Sequence, residues 1–120
     1  MSLTDRGIMD IIFRTSKLEK VCNNKTYRER ECGTKRAKLL GRRLDELRAA
    51  DCLADIARLP APRCHELKGN REGQISVDLD HPYRLLFGVA NEPVPQKPDG
   101  GLDWSEVTAI RVIGMEDIHG

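Results

Sequence analysis

Ile75-Ser76-Val77-Asp78-Leu79-Asp80, then His81-Pro82, then Tyr83-Arg84-Leu85-Leu86-Phe87-Gly88-Val89, is the stretch whose reading decides the fold. Ile75, Val77 and Leu79 alternate with Ser76, Asp78 and Asp80, the period of a half-buried strand. His81-Pro82 breaks the pattern as a turn, and Tyr83 to Val89 reads as a second, more continuously apolar strand. Residues two apart in a strand share a face, so Arg84, Leu86 and Gly88 point together, opposite Tyr83, Leu85 and Phe87. An unpaired charge in an apolar strand is costly. Arg84 therefore has two readings, a cation on the open face of a sheet or one half of a structural ion pair with Asp78 or Asp80.

Upstream, Arg63 to Leu67 reads as extended, and Gly69-Asn70-Arg71-Glu72-Gly73 as a turn. The strongest helical signal lies between Thr34 and Ala50. Ala37, Leu40, Leu44 and Leu47 form one apolar stripe there, with Lys35, Lys38, Arg42 and Arg43 at other positions around the helix. A shorter helix, Cys52 to Leu59, ends at Pro60 and Pro62. Met9 to Phe13 reads as a first strand. A short helix follows to about Cys22, with Thr15 or Ser16 as N-cap and capping-box spacing between Ser16 and Glu19, and Asn23-Asn24 breaks it. Downstream, Asn91 to Gly101 carries too many prolines and glycines for regular structure, and Val107 to Ile113 is the last strand. Trp104, in the same connection, is expected to pack over the sheet edge or to meet a partner. The order predicts an α+β domain, with an N-terminal strand and then helices packed on one face of a mainly antiparallel sheet of four to five strands.

The 120 residues suit a single domain, with residues 1–8 read as a leader before Met9 and residues 90–105 as an inserted loop. No apolar run approaches the roughly 20 residues that span a bilayer, and no secretion signal is visible, so the expected setting is cytoplasmic, without membrane. Four cysteines, at 22, 32, 52 and 64, form no C-x-x-C pair. Cys64 beside His65 lacks a ligand set, so neither metal nor cofactor is expected. A net charge of +1 hides an asymmetry. Arg14 to Arg48 holds twelve Lys/Arg against five Asp/Glu, and Glu92 to Asp117 holds six acidic residues against two basic. A basic half on a near-neutral protein suits a polyanion, although charged helix faces are often simply solvated.

Three stretches carry a family resemblance. His65-Glu66-Leu67-Lys68-Gly69-Asn70-Arg71-Glu72-Gly73 resembles the H-x-L-K-G-[DN]-R-x-G segment of HigB killer proteins, a branch of the RelE/ParE toxin superfamily. His81-Pro82-Tyr83-Arg84-Leu85-Leu86-Phe87 resembles their aromatic-Arg-apolar-apolar-Phe strand, and Glu116-Asp117-Ile118-His119 their E-x-Y-H or D-Y-H ending. Order and spacing match from about Met9 to His119. The resemblance implies a RelE-like sheet and a type II toxin–antitoxin system. It also implies a HigA-like antitoxin with a DNA-binding helix-turn-helix, and messenger-RNA cleavage in the A site of the 30S ribosome. Any DNA contact is expected only through the antitoxin complex.

Cutting RNA without metal needs a base for the ribose 2′-hydroxyl, an acid for the leaving 5′ oxygen and cations for the phosphate. Histidine suits the first two tasks, and two of the three histidines, His65 and His119, lie inside the matched segments. They are the candidate acid–base pair, with Asp117 placed to orient one of them. Arg84 is the candidate transition-state cation; Lys68, Arg71, Arg42 and Arg43 are candidate RNA contacts. Ile118 departs from the family pattern, which carries a tyrosine there. Three other classes compete. A ParE-like gyrase-binding toxin would need no histidine pair, and a catalytically degenerate antitoxin-binding member is kept open by Ile118. A basic RNA-binding module would want more stacking aromatics than five.

Overall fold

Period-two alternation in the quoted stretch becomes the two faces of one sheet. A computed structural model of the chain describes residues 8–118. Strand β1 (Asp10–Phe13) leads into helices α1 (Ser16–Asn23), α2 (Lys25–Cys32), α3 (Thr34–Ala49) and α4 (Leu53–Ala57). Strands β2 (His65–Glu66), β3 (Gln74–Asp78), β4 (Tyr83–Val89) and β5 (Ala109–Asp117) follow. They form one five-stranded sheet in the order β1-β5-β4-β3-β2. β1 lies parallel to β5 and every other neighbouring pair is antiparallel, so the α+β domain has a mixed sheet. No helix among the described residues is long and apolar enough to cross a membrane.

The core is the helix-side face. Ile75 and Val77 from β3, Leu85 and Phe87 from β4, and Ile110 and Val112 from β5 meet Val21 and Cys22, the stripe Leu40-Leu44-Leu47, and Leu53 with Ile56. Burying one such aliphatic side chain is worth roughly 1.5–3 kcal/mol, and this set is what holds the helices to the sheet.

Caps explain where the helices begin. Thr15, rather than Ser16, caps α1, its hydroxyl accepting from the Leu18 amide. Asn23-Asn24 separates two helices, because the Asn24 side chain accepts from the Tyr27 amide and starts α2. That second helix carries no apolar stripe, so periodicity gave no sign of it.

The basic character of the helical half is partly structural. Arg28 donates to the Val21 and Cys22 carbonyls at the end of α1. Its guanidinium crosses α3 at Gly41, where a Cβ would stand 2.6 Å from Nη1. Arg36 grips Asp80 with both Nε and Nη2, at 2.9 and 3.2 Å, and its guanidinium lies 3.6 Å from the Tyr83 ring centre. Arg43, one more pair of turns along α3, is only 6% exposed. Its Nε donates to the Asp78 carbonyl at 2.7 Å and its Nη1 to Glu46. The expectation that Arg43 meets RNA is thus corrected: its guanidinium is enclosed between α3 and the end of β3. Arg42, the next residue, is exposed.

The connection 90–105 is more regular than its prolines suggest. Asn91 Oδ1 accepts from the Thr108 and Ala109 amides, and Gln96 bridges to Leu102. Trp104 packs against the core and donates from Nε1 to Glu66 on the edge strand β2, at 2.9 Å.

Removing Arg43 strands a carbonyl and a carboxylate, so Arg43→Ala should lower the unfolding free energy by about 2–4 kcal/mol. Arg42→Ala should change it by no more than about 0.5 kcal/mol, and parallel urea titrations would separate the two. The hydrogen bond from Arg36 holds the Asp80 carboxyl below its ordinary value. A carboxylate so lowered contributes fully above its unfolded value of about 3.9 and loses that contribution as pH falls through the folded one. Acid unfolding below about pH 4 should accordingly be shallower in Asp80→Asn than in the unsubstituted chain.

Candidate functional site

The face turned away from the helices carries the chemistry. Cross-strand pairing sets its rows, with His65 opposite Ser76, Ser76 opposite Leu86, and Leu86 opposite Gly114. One step along, Asp78 pairs with Arg84 and Arg84 with Glu116. Directly opposed residues in an antiparallel pair share a face, so these side chains all stand on the same side.

Arg84 answers to both readings its sequence allowed. It lies on the face opposite the core, and it is ion-paired, with Nε 3.3 Å from Asp78 Oδ1. Its Nη1 stands 3.2 Å from His65 Nε2. The other imidazole nitrogen, Nδ1, is 3.0 Å from the Arg63 carbonyl. A guanidinium only donates and a carbonyl only accepts, so one tautomer satisfies both contacts: Nδ1 carries the proton and Nε2 the lone pair. Among the described residues, Arg84 Nη2 takes no hydrogen bond.

The turn between β2 and β3 folds back over this face. Arg71, in the 3₁₀ turn Gly69–Arg71, donates from Nη2 to Glu116 Oε1 on β5. That turn sits at the Gln74 end of β3, whereas Glu116 stands level with Asp78, about 13 Å along the strand. Ser76 and Leu86, on the same face, are both fully buried although they face away from the helices. The Ser76 hydroxyl has no hydrogen-bond partner among the described residues. Lys68 is exposed beside the same turn.

Some sequence-predicted residues come together and others do not. His65 and Arg84 share one face, and Arg71 reaches it through Glu116. Asp117 does not, because it pairs with Tyr83 and so stands on the helix side, one residue out of phase with Arg84. Its expected partner, His119, lies outside the described residues. Glu116 occupies the open-face position instead. Asp117 does have an interaction of its own. Ile118, the neighbour of His119, donates from its amide to the Pro82 carbonyl, beside the β3–β4 turn. Arg42 is on the far side of the helical layer, in a groove of about 440 Å³ between α2 and α3 that Lys25, Arg28 and Lys38 also line. The expected RNA contacts thus divide between two separate surfaces. Glu116 and Arg63 were not among the candidate site residues, and Asp78 entered only as a possible ion-pair partner of Arg84; the register of β3 and β5 against β4 brings Asp78 and Glu116 to this face.

Cys64 faces away from His65 and packs against the core, where burial pushes its thiol up to about 12. Among the described residues no group of three His, Cys, Asp or Glu side chains is arranged to hold a metal ion. No protein-family model matches the chain, and no curated protein matches it either. The class that fold and site define is an α+β domain whose open sheet face joins a histidine to arginines and carboxylates.

A neutral, core-facing thiol is a poor nucleophile. Cys64 should resist iodoacetamide at neutral pH in the folded protein and react after unfolding; rapid labelling of the folded chain, read by peptide mass mapping, would contradict the packing described.

Proposed function

We propose that this chain is a ribosome-dependent messenger-RNA endoribonuclease, the toxin of a type II toxin–antitoxin pair, with a RelE-like fold nearest the HigB branch. The observation that carries the reading is the contact of Arg84 Nη1 with His65 Nε2 on an open sheet face. It sets a proton acceptor beside a cation, two of the kinds of group that phosphodiester cleavage requires. The strand–helices–strands order and the cationic turn bearing Lys68 and Arg71 support the same reading.

In this mechanism the attacking 2′-hydroxyl takes the place at His65 Nε2 that Arg84 Nη1 now occupies. The imidazole removes the 2′ proton as the 2′-oxygen bonds to phosphorus. The bond to the 5′-oxygen breaks, and His119 is the group assigned to protonate that oxygen. Arg84, through its Nη2 edge, and Arg71 stabilise charge on the non-bridging oxygens. A cyclic 2′,3′-phosphate and a 5′-hydroxyl result. The proposed partners are the 30S A site with its message and a HigA-like helix-turn-helix antitoxin, in the cytoplasm.

A second reading has an observation of its own. Arg84 and Arg71 each already hold a carboxylate, Asp78 and Glu116, and RNA must displace or tolerate both. A catalytically silent, antitoxin-binding member would look the same at rest.

Induced expression with messenger 5′ ends mapped separates the two. The nuclease reading expects growth arrest and codon-phased cuts, with His65→Ala and Arg84→Ala each reducing cleavage by about a hundredfold or more. Arrest without new ends, equal in both variants, would reject it.

A further inference from the structure

We propose that Asp78 is a positioning residue for His65, gripping the two arginines that hold the imidazole at its two nitrogens. Arg84, whose Nη1 meets His65 Nε2, places its Nε 3.3 Å from Asp78 Oδ1. Arg63, whose carbonyl meets His65 Nδ1, places its own Nε 3.6 Å from Asp78 Oδ2. The two carboxylate oxygens thus face two different clamps of one ring.

Asp78 is itself fixed from behind. Its amide donates to the Pro62 carbonyl at 2.7 Å, and its carbonyl accepts from buried Arg43 at 2.7 Å. With both backbone groups anchored at the end of β3, alternation leaves the side chain on the open face. The chain of contacts runs from α3 through the sheet to the imidazole, from Arg43 to Asp78, to Arg84 and Arg63, to His65.

Backbone strain at Arg63 marks the same place. Its φ of 47° is in the left-handed region, and it is the one non-glycine residue there among the described residues. A residue with a Cβ has no local reason to adopt that conformation, which costs of order 1 kcal/mol. The conformation turns the Arg63 carbonyl toward His65 Nδ1 while its guanidinium reaches Asp78. Orienting a histidine through its second nitrogen fixes which nitrogen carries the lone pair.

The test needs no RNA for its first arm. With isotope-labelled imidazole nitrogens, at pH about 8 where an ordinary histidine is neutral, His65 should carry its proton on Nδ1, and Asp78→Asn should convert that single tautomer into a mixture. The second arm rests on the nuclease reading. Asp78→Asn should lower kcat about tenfold or more while KM moves less than about threefold, with partial recovery in Asp78→Glu. A proton on His65 Nε2 in the unsubstituted protein would overturn the assignment even if the Asn variant did not fold. So would an Asn variant with unchanged tautomer and unchanged kcat. If the unsubstituted protein cut no RNA yet showed the expected tautomer shift, the nuclease reading would fail and the positioning of His65 would stand.

Discussion

A slip of one residue between Gln74–Asp78 and Tyr83–Val89 would turn Arg84 into the core and Leu85 and Phe87 out of it. That register is the constraint on which the rest depends. It is enforced from one side by the apolar set Ile75, Val77, Leu85 and Phe87 under the helices. Buried Arg43 enforces it from the end, holding the Asp78 carbonyl, while Arg36 holds the Asp80 carboxylate two residues on. A helix-borne guanidinium at each of these points fixes both the strand end and the turn that follows.

The same arginines change the meaning of the basic half. An excess of cations from Arg14 to Arg48 suggests a polyanion surface, but Arg28, Arg36 and Arg43 are committed to carbonyls and carboxylates inside the fold. What remains for solvent is divided. Arg42, Lys25 and Lys38 flank the α2–α3 groove, and Lys68 and Arg71 belong to the β2–β3 turn across the sheet. An RNA that used both surfaces would have to pass around the domain.

The open face is a balanced one. Each arginine that a phosphate would meet is held by a carboxylate, and the histidine between them is held by two contacts at opposite nitrogens. Such an arrangement is preorganised, which favours catalysis, and partly neutralised, which weakens non-specific attraction to nucleic acid.

The sequence by itself determined the α+β class, the α3 stripe, the alternating β3, the turn before Tyr83 and the face on which Arg84 stands. Each is a local property of period or of turn chemistry, visible within a dozen residues. It missed α2, whose polar composition has no stripe and whose start depends on a single asparagine cap. It did not show that Glu116 shares the face of Arg84, because a strand's phase relative to its neighbour is not written in either strand alone. It counted Arg43 with the solvent-facing cations, because one turn of a helix offers inward and outward places to the same residue type. Only the tertiary structure decided that Asp78, Arg63 and Arg84 converge on His65. Those contacts join residues up to 19 positions apart through the pairing of three strands, and no local pattern encodes a register between strands.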